Sequence, residues 1–108
     1  MPRTATATSS NVKLTEIELQ RELSSLLEWK LEGGKLHRDY VFADFGAAFG
    51  FMRSAALVAQ SLDHHPDWAN VWNKVRVDLT THDAGGVTEL DVKLASSMEE
   101  LARRRQAK

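Results

Sequence analysis

Apolar residues recur along this chain with changing periods, and the changes divide it into elements. Ile17, Leu19, Leu23, Leu26 and Leu27 return at roughly helical spacing. Just ahead of them, Thr15-Glu-Ile-Glu18 fits a capping box, in which hydroxyl and carboxylate satisfy free backbone donors. A first helix is therefore expected from about Glu16 to Leu27. Trp29 to Glu32 and Lys35 to Phe42 flank Gly33-Gly34. Two glycines accept positive φ, so this stretch predicts a hairpin. Asp44 can cap a second helix, with Phe45, Ala48, Phe49, Met52, Ala55, Ala56, Ala59 and Leu62 on one broad face. That helix should stop near Asp63, because Pro66 disfavours helical geometry at His65.

Beyond Pro66 the period changes to two. Val71, Asn73, Val75, Val77 and Leu79 alternate with Trp72, Lys74, Arg76, Asp78 and Thr80. The alternation predicts a single strand with one dry face, preceded by a turn from Pro66 to Asn70. Trp72 is expected on the second, mainly polar face, where an aromatic suggests a pocket or an interface. Asp83-Ala-Gly85-Gly86 is a turn, and Thr88 to Asp91 resembles a second capping box with Asp in place of Glu. It opens a last helix with Leu94, Met98 and Leu101 on its apolar side.

The order helix, two strands, helix, strand, helix predicts an α+β fold, a small antiparallel sheet of three to four strands with helices packed on one face. One domain is expected over residues 14–105, after a flexible N-terminal segment, 1–13.

Composition narrows the function classes. The chain of 108 residues is 43% hydrophobic and 27% charged, with a net charge of -1. That balance argues against direct nucleic-acid binding, which normally uses a basic excess. The run Arg103-Arg104-Arg105 fits cations in the last turn of a helix, where the helix dipole favours them. Cysteine is absent, which excludes disulfides and thiolate metal sites. No run of about 18 apolar residues occurs, so no membrane helix is expected. The start lacks the apolar stretch of a secretory signal, and a cytoplasmic location is the expectation.

Three of the four histidines fall in two short segments, Gln60-Ser-Leu-Asp-His64-His65-Pro66-Asp67-Trp68 and Thr80-Thr81-His82-Asp83. Each segment lies where a regular element gives way to a loop. Imidazole gains or loses a proton near neutral pH, so these positions suit proton transfer or recognition of a polar ligand. Spacing alone does not bring the three together.

The ordered set His64-His65-Pro66, Trp72, Thr81-His82 and Asp91 resembles the pterin-4a-carbinolamine dehydratases. The flanks agree, among them Phe42-Ala-Asp-Phe45, Phe49-Gly-Phe-Met52, Asp67-Trp68, Gly85-Gly86 and Asp91-Val-Lys-Leu94. The resemblance covers about Trp29 to Leu101. It implies loss of water from 4a-hydroxytetrahydrobiopterin to give quinonoid dihydropterin, with no cofactor and no metal. It further implies His64, His65 and His82 as the catalytic set, with His64 and His82 as acid and base and His65 positioning the pterin. Gln60, Pro66, Trp68, Thr81 and Asp91 would then contact substrate, although capping explains Asp91 comparably well. The family usually carries Glu where Gln60 stands. Glutamine can donate and accept hydrogen bonds but carries no charge to set against an imidazolium.

The resemblance also implies a homodimer or homotetramer, and some relatives serve as transcriptional cofactors or enzyme assembly factors. A non-catalytic binding role is therefore the main alternative. In that role Ala55, Ala56, Ala59 and the stripe Leu94, Met98 and Leu101 could supply the partner surface. A three-histidine zinc site is a weaker alternative, since adjacent histidines rarely point the same way. His37 has no partner evident in sequence and is expected at the surface or a sheet edge.

Overall fold

The computed structural model describes residues 12–107. The expected flexible segment 1–13 lies outside the described residues up to position 11. Among the described residues, three α-helices accompany a four-stranded antiparallel sheet, and the two long ones pack on one of its faces, as the period changes predicted.

Helix α1 runs Glu16–Leu23, and its capping box forms as read: the Thr15 hydroxyl accepts from the Glu18 N–H at 3.2 Å, and the Glu18 carboxylate accepts from the Thr15 N–H at 2.9 Å. It stops four residues earlier than the apolar spacing suggested. The hydroxyls of Ser24 and Ser25 donate to the carbonyls of Arg21 and Glu22, offering the last turn an alternative to further helix. Leu26 still reaches the core, but Leu27 and Ile17 are exposed.

Strands β1 (Lys30–Glu32) and β2 (Lys35–Val41) form the expected hairpin. Gly33 and Gly34 both take positive φ, 58° and 79°, as a two-residue turn requires. Helix α2 runs Phe45–Leu62, capped by Asp44, whose carboxylate accepts from the Ala47 N–H at 2.8 Å. Its buried residues are Ala48, Phe51, Ala55 and Ala59. Phe45 and Phe49, expected to face inward, are about half exposed. The helix is apolar nearly all round, so helical periodicity could not single out the buried stripe.

The predicted single strand Val71–Thr80 is two strands. Strands β3 (Asp67–Val71) and β4 (Lys74–Leu79) pair antiparallel about a turn at Trp72-Asn73. The sheet order is β1-β2-β4-β3. Val75, Val77 and Leu79 face the helices and are buried, whereas Val71 is 74% exposed on the other side. A two-residue turn keeps the apolar alternation running in sequence while reversing the chain. Trp72 thus lies in the turn and not on a sheet face, with φ 52° and a largely exposed side chain. The Asn70 amide braces the turn by donating to the carbonyls of Trp72 and Lys74, both at 2.9 Å.

A 3-10 turn, His82–Ala84, follows β4 and is closed by a bridge between Thr81 and Gly86. Helix α3 (Glu89–Arg104) then crosses the sheet and buries Val92, Leu94, Ala95, Met98 and Ala102. Ala55, Ala59, Leu94 and Met98 are all core residues, so the partner surface suggested for them is not available.

Candidate active site

The first histidine pair is set by how α2 ends. Asp63 adopts the left-handed conformation at the C-cap, φ 51°, and the next N–H, that of His64, returns to the Ala59 carbonyl at 3.0 Å. This is the backbone pattern that commonly closes helices. Pro66 follows, and β3 begins at Asp67, so His64 and His65 are held between a locked helix end and an edge strand.

Helix α3 supplies the partner. Asp91 is the third residue of that helix and completes its capping box, accepting from the Thr88 N–H at 2.8 Å. Its side chain is fully buried. One carboxylate oxygen, Oδ1, meets His64 Nε2 at 2.5 Å, and the other, Oδ2, accepts from the Thr81 hydroxyl at 2.8 Å. The Thr81 and Thr88 hydroxyls lie 2.7 Å apart. Asp91 therefore ties three pieces of chain together: the exit of α2, the end of β4 and the start of α3. His82 is the residue after Thr81, so the carboxylate anchors the loop that carries it.

The site residues expected from sequence divide into two groups. His64, Thr81 and Asp91 form one hydrogen-bonded unit, with the His64 side chain 11% exposed. His65 and His82 are exposed beside it in sequence. His65 Nε2 reaches Gln60 Oε1 at 3.5 Å, a contact at the outer limit for a hydrogen bond. Pro66 is half-buried in the connection, and Trp68 is half-buried against the core. Among the described residues, no three His, Asp or Glu side chains are grouped as a metal ion would require. Thr88 was legible only as a helix cap. Its hydroxyl also faces Thr81, and the sole trace of this in sequence is a second threonine seven residues later.

Two further polar clusters lie away from these residues. His37, expected at the surface or a sheet edge, is only 9% exposed. Its ring nitrogens meet Asp78 at 2.8 Å and Asp39 at 2.7 Å on the outer face of the sheet. The hydrogen bond to Asp78, followed by that to Asp39, raises the imidazole pKa against the opposing effect of burial. On the helix side, one oxygen of Glu99 accepts from Trp29 Nε1, Arg38 Nε and Tyr40 OH. Burial pushes the Glu99 carboxyl up, but these donors outweigh it and the net direction is down.

A family model described as pterin 4 alpha carbinolamine dehydratase matches residues 12–101. The chain belongs to this family. It is 53% identical over 90 residues to a protein of Solibacter usitatus (strain Ellin6076), covering 83% of this chain and 95% of that one. It is 55% identical over 92 residues to one of Chelativorans sp. (strain BNC1), covering 83% and 94%. Both carry the name "Putative pterin-4-alpha-carbinolamine dehydratase". A Brucella melitensis crystal structure described as a transcriptional coactivator/pterin dehydratase superimposes with a TM-score of 0.80 at 48% identity, covering 83% of this chain and 98% of that one. The pterin-dehydratase fold is thus common to this chain and a solved relative.

Proposed function

We propose that this protein dehydrates 4a-hydroxytetrahydrobiopterin to quinonoid dihydropterin and water, as a hydro-lyase working by histidine acid/base catalysis. The observation that carries this function is the Asp91 carboxylate, which holds His64 and anchors the His82 loop through Thr81. The C4a hydroxyl leaves poorly unless it is protonated, and the N5 proton must be given up as the C4a–O bond breaks. One imidazole can donate and a second accept, so the two transfers need two rings with opposite roles at the same moment. Neither transfer consumes a cofactor. His65 and Trp68 follow His64 closely in sequence and are suited to positioning a flat heterocycle.

The test is the rate of 4a-hydroxytetrahydropterin dehydration, followed by ultraviolet absorbance, for wild type, Gln60→Glu, His64→Ala and His82→Ala. Each alanine variant should lose about 10²-fold or more in turnover. Acceleration by wild type supports the enzyme, and a gain in Gln60→Glu would measure what a carboxylate adds beside His65. Unchanged turnover in both alanine variants would remove the acid/base assignment.

A non-catalytic binding role has one structural observation in its favour. Phe45, Phe49 and Leu57 lie on the solvent side of α2, 50%, 56% and 64% exposed, and a helix face of that composition is suited to a partner or a second copy. An assembly protein would neither bind nor turn over the pterin, so the same assay separates the two roles.

A further inference from the structure

The hydrogen bonds around Asp91 have a direction, and the direction ends on one atom of His64. The Thr81 hydroxyl has a single hydrogen and gives it to Asp91 Oδ2. In the 2.7 Å contact between the two threonines, Thr88 must therefore be the donor and Thr81 the acceptor. The Thr88 oxygen in turn accepts from the Leu90 N–H at 3.2 Å. The chain thus runs from an amide in the first turn of α3, through Thr88 and Thr81, to Asp91 Oδ2. The Thr88 N–H supplies a second donor to the same oxygen. Oδ1 faces His64 Nε2 at 2.5 Å. A carboxylate accepts only, so that ring nitrogen must carry the hydrogen.

We infer that Thr88, Thr81 and Asp91 are positioning residues that fix the Nε2–H tautomer of His64, leaving Nδ1 as the proton acceptor. Asp91 is fully buried, and both its oxygens are spent on these contacts. It acts through His64 and does not touch substrate; Thr81, with its hydrogen committed, acts in the same way. Resting on the dehydratase reading, this assigns the two proton transfers. His64 Nδ1 takes the N5 proton, and the N5 electron pair forms the bond to C4a. The C4a–O pair leaves as water with a proton from His82. The positive charge that appears on the His64 ring then lies against Asp91, the same division of labour as in a Ser-His-Asp triad.

The test is the 15N NMR spectrum of His64 in the uniformly labelled full chain, recorded at alkaline pH. The expected result is a pyridine-type Nδ1 and a protonated Nε2. An Nδ1–H tautomer in wild type would overturn the inference. Asp91→Asn can present an amide donor to Nε2, so it should move the hydrogen to Nδ1 and lower turnover by about 10²- to 10⁴-fold. Should that variant fail to fold, Thr81→Val and Thr81→Ser serve instead. Valine should shift the acidic limb of the pH–rate profile, the limb set by the base His64, and cost about 10-fold, and serine, which keeps the hydroxyl, should restore both. Equal profiles for valine and serine would reduce Thr81 to packing and overturn its place in the chain. An Nε2–H tautomer in a protein that does not accelerate pterin dehydration would uphold the positioning unit while refuting the dehydratase reading.

Discussion

Replacing Glu99 by alanine removes the one acceptor shared by three buried donors. Tyr40 is 0%, Trp29 3% and Arg38 8% exposed, and all three donate to Glu99 Oε1 at 2.7–3.0 Å. An orphaned buried donor costs about 1–3 kcal/mol, and more when it is charged. Simple addition overstates the loss, because the three share one oxygen and the Glu99 side chain is 23% exposed, which lets water into the vacated space. A total of about 3–5 kcal/mol is expected, matching the cost of breaking a buried ion pair on one side. Tyr40→Phe deletes one donor and leaves the carboxylate with two, so it should cost about 1 kcal/mol. The double variant Arg38→Met, Glu99→Leu removes both charges and should recover a large part of the loss. Urea unfolding followed by far-ultraviolet circular dichroism measures all three. The donors hold the Glu99 carboxyl below its ordinary 4.5, so its contribution is present above that pH and is lost as pH falls through the lower folded value. The Glu99→Ala penalty should therefore shrink in acid. A penalty below about 1 kcal/mol at neutral pH, or one that does not change in acid, would refute this account of the cluster.

Two further expectations concern the sheet. The His37 pKa is raised above 6.5, so its stabilisation is complete below that pH and is lost as pH rises through the folded value. Between Glu32, Asp39, Asp78 and Arg76, His37→Gln should cost about 1–2 kcal/mol on the acid side of 6.5 and progressively less above it, measured by denaturant midpoints across a pH series; a pH-independent cost would contradict the imidazolium clamp. Trp72 holds φ 52° with its side chain 65% exposed, so Trp72→Gly relieves strain at small loss of burial. A gain of about 0.5–1 kcal/mol is expected, seen as a rise in Tm of a few degrees, and a fall would mean that contacts hold the indole.

Local chemistry was legible in the sequence wherever it acts over a few residues. Both capping boxes and the Asp44 cap depend on side chains reaching the nearest backbone, the Gly33-Gly34 turn and the stop of α2 at Asp63 depend on local backbone geometry, and each formed where it was read. Elements defined by pairing were less legible. The alternation from Val71 to Leu79 fits one strand or two, because a turn at Trp72-Asn73 leaves the period of two intact; only pairing with β2 and β3 decides. The buried stripe of α2 was hidden for a related reason: an apolar residue on either side of the helix gives the same pattern until a sheet covers one of them.

The histidine positions and their resemblance to a family were determined by sequence alone. What each ring touches was decided by tertiary structure. Residues 27 positions apart meet in the contact between His64 and Asp91, and a loop and a helix start are needed to bring Thr81 and Thr88 to the same carboxylate. His37 makes the same point, since its partner Asp78 is 41 residues away across the sheet. A hydrogen bond requires its atoms within about 3 Å, and chain spacing sets that distance only for near neighbours. For distant residues it is the packing of α2 and α3 onto the sheet that sets it.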